Sequence, residues 1–133
     1  MLDTNTVSYI VKGKSPAARS RLSNLGADEA ACISSLTEAE LWYGLARIGS
    51  SDRRRNALRT FLDRLQVRAW SRDEAFAYGA FRARQEAAGK PLGPLDTQIA
   101  VHAIAVGAVL VSHDAAFQQA IGLVGLEDWA TDI

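Results

Sequence analysis

Short apolar runs, AACIS at 30–34, VRAW at 67–70 and AVLVS at 108–112, are each followed by a longer segment with helical periodicity. That alternation constrains the fold more than any other feature. A strand that gives way to a helix rejoins the sheet through a crossover, so neighbouring strands run parallel and helices cover the sheet. The expected class is α/β, with a short central parallel sheet flanked by helices on both faces. In open sheets of this kind ligands bind beyond the carboxyl ends of the strands.

Local signals set the helix limits. TNTVSYIVKG follows Asp3, and SPAARSRLSNLG has Ser15 as cap with Pro16 at the first helical position. SLTEAELWYGLARIG ends at Gly49, with Glu38 at capping-box spacing from Ser35. SDRRRNALRTFLDRL gathers Ala57, Leu58, Phe61, Leu62 and Leu65 on one face, and Ser71 and Glu74 form a second capping-box pair. DTQIAVHAIAVG and the short DAAFQQAIG complete the helices. His102 falls off the stripe through Asp96, Ala100 and Ala103, so partial exposure is expected for it. Without repeats or a linker, the 133 residues are expected to form one domain, 1–133.

Charge narrows the function classes. Lys plus Arg and Asp plus Glu both number 15, which argues against a nucleic-acid binder held by overall charge. The densest positive run, Arg53 to Arg55, reads first as a solvated helix face pairing with Asp52 and Asp63, and second as an RNA contact. The one cysteine, Cys32, has no partner for an internal disulfide and suits a reducing compartment, so a cytoplasmic location is expected. No apolar run approaches membrane-span length and no targeting signal is evident, so no membrane association is expected.

The acids fall at informative places. Asp3 follows the first apolar pair, Asp114 follows AVLVS, Asp96 opens a helix after Pro94, and Glu40 lies a turn into the helix after AACIS. Each has an ordinary use: Asp3 and Asp114 as helix caps, Asp96 as a macrodipole partner, Glu40 as a mate for Arg47. Those uses do not account for four carboxylates on one rim, where mutual repulsion raises at least one pKa unless a cation intervenes. Oxygen donors without a Cys or His set favour Mg²⁺ or Mn²⁺, and such an ion suits phosphodiester hydrolysis.

LDTNTVSYI, ISSLTEAELWYG and GPLDTQIAVHAIAVGAVLVSHDAAFQQAIGLVGLEDW together resemble the PIN-domain ribonucleases, and more closely the VapC toxins of bacterial toxin–antitoxin pairs. The resemblance runs over nearly the whole chain and implies a PIN-like fold. It also implies a Mg²⁺- or Mn²⁺-dependent endoribonuclease that leaves 5′-phosphate and 3′-hydroxyl ends. By position it assigns Asp3, Glu40, Asp96 and Asp114 as catalytic metal ligands, with Asn5 and Ser112 in support. It implies an RNA substrate (loops of tRNA or rRNA first), a cognate VapB-like antitoxin covering the active-site groove, and a homodimer. Trp42, Tyr43 and Phe81 are candidates for such interfaces or for the core.

Only Met1 and Leu2 precede Asp3, so the first strand is either short or begins outside this sequence. His113 is expected to be solvated or hydrogen-bonded rather than catalytic. The chief rival is a catalytically weak PIN-like module that binds RNA or protein without cutting. An aspartyl-nucleophile phosphatase is remote, because Asn5 stands where that chemistry places its second aspartate. No G-x-G-x-x-G follows a strand, which disfavours dinucleotide binding.

Overall fold

The computed structural model describes residues 1–133. Its helices are α1 Thr4–Val11, α2 Pro16–Ser23, α3 Ser35–Arg47, α4 Asp52–Leu62, α5 Arg72–Ala87 and α6 Pro94–Ala105. The strands are β1 Cys32–Ser34, β2 Gln66–Arg68, β3 Leu110–Val111 and β4 Leu126–Glu127. β1 pairs parallel with β2, and β3 pairs parallel with β4. The N-terminal residues lie between the two pairs. Leu2 N–H donates to Cys32 O, Asp3 N–H donates to Val111 O, and Val111 N–H donates to Met1 O. Leu2 and Val111 form a parallel bridge, so the spatial order is β2, β1, residues 1–3, β3, β4. A first strand of this length still takes the central place because its backbone is hydrogen-bonded on both sides.

Strand alternation then divides the core. Leu2, Ile33 and Val111 face one apolar cluster with Val7, Ile10, Ala18, Leu58, Leu62 and Trp129. Their chain neighbours Met1, Cys32 and Leu110 face the other, with Phe81, Ile99, Val101 and Phe117. Successive side chains on a strand point to opposite faces, and here both faces are covered by helix. Each fully buried aliphatic or aromatic side chain contributes roughly 1.5–3 kcal/mol. The α/β architecture with helices on both faces is thus the observed one. No helix is long and apolar enough to cross a membrane.

Several local expectations need correction. Leu126–Glu127 is a strand that carried no β-branched run to announce it. DAAFQQAIG forms only a 3₁₀ turn, Ala115–Gln119. α3 is capped by Ser34, whose hydroxyl accepts from Leu36 N–H, and Ser35 and Glu38 make no capping box. Their groups are taken elsewhere: Ser35 Oγ accepts from Trp70 N–H at 3.1 Å and Glu38 accepts from Trp42 Nε1 at 3.2 Å. The Arg53–Arg55 face is exposed but pairs with neither Asp52 nor Asp63. Phe81 is core, whereas Tyr43 is exposed. His102, expected to be partly exposed, is completely buried.

Candidate functional site

The chain reverses at the carboxyl ends of the two central strands, and each reversal carries an aspartate. Asp3 caps α1: its Oδ1 accepts from Thr6 N–H at 2.8 Å, and its Oδ2 accepts from the Ser112 hydroxyl at 2.5 Å. Ser112, just beyond β3, also accepts from Asp114 N–H at 3.0 Å. One hydroxyl therefore ties the two strand ends together, which gives Ser112 a physical role. Asp114 caps the 3₁₀ turn through Ala116 N–H at 2.9 Å. Asp96 sits in the first turn of α6, after Gly93 and Pro94.

Asp3 is buried, Asp96 half-buried and Asp114 exposed. Burial, then the charge of Asp114, then that of Asp3 push the Asp96 carboxyl above its ordinary value of 3.8. No Lys, Arg or His side chain makes an ion pair with any of the three. This is an electrostatically unfavourable arrangement left without a protein counter-charge. Capping and convergence therefore coexist, because a carboxylate has lone pairs for both.

Glu40 is not among the charges that act on Asp96. It is exposed on the second turn of α3 and lines a cleft of about 710 Å³ with Thr4, Asn5, Ser8, Gly44 and Arg47. Thr4, next to Asp3, contacts the buried Thr37 at 3.4 Å, one turn before Glu40. Arg47 does not pair with Glu40 but lies over the Tyr43 ring at 5.9 Å. Asn5 is exposed and makes no hydrogen bond to Asp3, whose support comes from Thr6 and Ser112 instead. The contribution of Thr6 is a backbone N–H, which residue type does not reveal. His113 turns away, bonding Asp128 at 2.9 Å.

In kind the donors suit a hard divalent cation, being carboxylate oxygens with no Cys or His among them. In spacing they are open: no three His, Cys, Asp or Glu side chains close to ligand geometry. The trio is gathered to electrostatic range without being clamped.

The PIN-domain family model matches residues 1–123. The chain is 36% identical to the tRNA(fMet)-specific endonuclease VapC of Salmonella typhimurium over 129 residues, 97% of this chain and 96% of that one. The chain belongs to the PIN-domain family, in its VapC branch. Ribonuclease VapC2 of Rickettsia felis is 33% identical over the same shares of each chain. In three dimensions this PIN domain matches VapBC2 from Rickettsia felis, bound to a fragment of its promoter DNA, with TM-score 0.89 and 33% identity over 97% of each chain. DNA-bound VapBC from Salmonella typhimurium gives TM-score 0.87 at 36% identity, covering 97% of this chain and 96% of the other. The match spans the segments that carry Asp3, Glu40, Asp96 and Asp114.

Proposed function

We propose that this VapC-family chain is a metal-dependent endoribonuclease toxin, acting on RNA and neutralised by a VapB-like antitoxin. The observation that carries the reading is the trio Asp3, Asp96 and Asp114, gathered at the strand ends with no cation from the protein. A divalent ion, Mg²⁺ or Mn²⁺, would relieve that repulsion and be held by the trio, with Glu40 joining from α3. When bound, it supplies Lewis-acid polarisation of a phosphoryl oxygen and lowers the pKa of bound water. Ser112 would fix the Asp3 carboxylate, while burial beside two like charges leaves Asp96 favouring a positive neighbour. Relatives named as ribonucleases and as tRNA(fMet)-specific endonucleases make initiator tRNA the first substrate to test. The VapBC neighbours support a VapB-like partner, and the same reading includes a homodimer. A cytoplasmic location follows from an RNA substrate of this kind.

The test is incubation of purified protein with total cellular RNA in Mn²⁺, Mg²⁺ or EDTA, beside Asp96→Asn, with sequencing of new 5′ ends. Discrete cuts that require both metal and Asp96 are expected. Metal binding without cleavage, by protein and RNA both shown to be intact, would favour the binding-only module instead.

A further inference from the structure

α5 carries a buried amide, Gln85, only 1% exposed. Its Nε2 donates to Lys90 O at 2.9 Å and to Gln119 O at 2.8 Å, and its Oε1 accepts from Ile121 N–H at 2.8 Å. Both donors and the oxygen are thus engaged, all with main-chain groups. The orientation of the amide follows from these partners, since a flip would aim the oxygen at two carbonyls.

The partners belong to two separate segments. Lys90 starts the connection into α6, and Gln119 ends the 3₁₀ turn that Asp114 caps. Each segment is stiff between the amide and its aspartate. On the α6 side the Thr97 hydroxyl donates to Gly93 O at 2.8 Å and contacts Leu92 O at 3.2 Å, and Pro91 and Pro94 restrict the backbone. On the other side Phe117 is buried in the core and its N–H donates to Asp114 O. No other hydrogen bond connects residues 90–97 with residues 114–121, so the Gln85 amide is their polar link.

We propose that Gln85 is a positioning residue for the acidic site: by tying the segment before Asp96 to the segment after Asp114, its amide fixes the separation of those two carboxylates. The proposal rests on the reading of these acids as the functional site. The two carboxylates bear like charges that no Lys, Arg or His side chain of the chain pairs with, so some element must hold them together before a cation arrives. Gln85 touches neither of them and acts through the backbone that carries both.

The test compares wild type with Gln85→Met, which keeps length and apolar packing but removes all three bonds, and with Gln85→Asn, which is too short to keep them all. Leu62→Ala, in the opposite core cluster, serves as a destabilised control. Crystal structures give the Asp96–Asp114 carboxyl separation, isothermal titration with Mn²⁺ gives metal affinity without RNA, and RNA cleavage gives kcat and KM. The expected result is a separation wider by about 1 Å, Mn²⁺ affinity down ~10-fold and kcat down ~10–100-fold, with KM changed little. Leu62→Ala should lose thermal stability with these readouts unmoved. An unchanged separation in Gln85→Met overturns the proposal; if that variant does not fold, the same reading in Gln85→Asn decides. Equal losses of affinity and kcat in Leu62→Ala also overturn it. If wild type neither cleaves RNA nor binds Mn²⁺, the proposed function falls, and the carboxyl separation still decides the role of Gln85.

Discussion

In the proposed function Asp3 combines two jobs that substitution can separate, capping α1 and holding the ion. Asp3→Asn keeps an oxygen for Thr6 N–H and removes the charge, whereas Asp3→Ala removes both. Both variants should lose metal-dependent cleavage, but only Asp3→Ala should also lose stability, by roughly 1 kcal/mol as for other lost N-caps. Melting curves beside cleavage assays give the comparison, and equal melting temperatures would remove the cap from the account. Asp96 makes the opposite prediction. Its folded pKa lies above 3.8, so its contribution to stability is present below that value and is lost as pH rises through the folded pKa. At neutral pH the ionised carboxylate therefore opposes folding. Asp96→Asn should abolish cleavage and yet melt a few degrees higher than wild type at pH 7, with the gap closing in acid. Adding Mn²⁺ should reverse the order, because an ion held by the trio stabilises only the chain that binds it. A lower melting point for Asp96→Asn at pH 7 without metal would mean that repulsion is not what burdens this site.

At the scale of elements, caps were legible and buried polar contacts were not. Ser15 with Pro16, and Ser71 with Glu74, mark helix starts because their hydrogen bonds are local, whereas Ser35 and Glu38, at the same spacing as the second pair, bond Trp70 and Trp42 instead and leave the cap to Ser34. His102 could not be placed in this way. α6 buries Thr97, Ile99, Ala100, Val101, His102 and Ala103, so it has hardly any polar stripe from which to infer an outside. In the structure His102 Nδ1 lies 2.8 Å from Ser34 Oγ, the hydroxyl that caps α3, and Nε2 lies 3.7 Å from Glu74, the carboxylate that caps α5. Leu36 N–H already occupies one lone pair of Ser34, so the neutral ring with Nδ1 accepting satisfies the hydroxyl best. Burial holds His102 below its ordinary 6.5; Glu74 opposes that shift and Arg68 adds to it. A depressed base contributes stability that is whole above 6.5 and declines as pH falls from there toward the folded pKa. His102→Asn, which can leave an acceptor near the Nδ1 position, should flatten the loss of melting temperature between pH 7 and pH 5. An equally steep loss in that variant would assign the acid sensitivity to other groups.

At the scale of the whole molecule, the α/β class was readable because helix and strand periods alternate in sequence, whereas the sheet order rests on long-range pairing that no local pattern encodes. The site was readable only as far as its residues carry distinctive chemistry. Asp3, Asp96 and Asp114 are legible by residue type as acids that the fold brings within range of one another, whereas the Thr6 N–H on Asp3 is a backbone group that residue type hides. The sheet order has a consequence for cooperativity. Residues 1–3 are hydrogen-bonded to both strand pairs, and their side chains divide between the two apolar clusters. Leu2, 1% exposed, faces the cluster that holds Trp129, while its neighbour Met1 faces the cluster against which Trp70 packs. Truncating Leu2 removes packing from one face and loosens the backbone that joins the pairs. Leu2→Ala should therefore cost about 2–5 kcal/mol, lowering the melting temperature by roughly 10 °C. Single-tryptophan variants retaining Trp129 or Trp70 should report the same midpoint, because the sheet transmits the loss to both faces. Separate midpoints, with Trp70 unaffected, would show that the N-terminal residues do not couple the two halves.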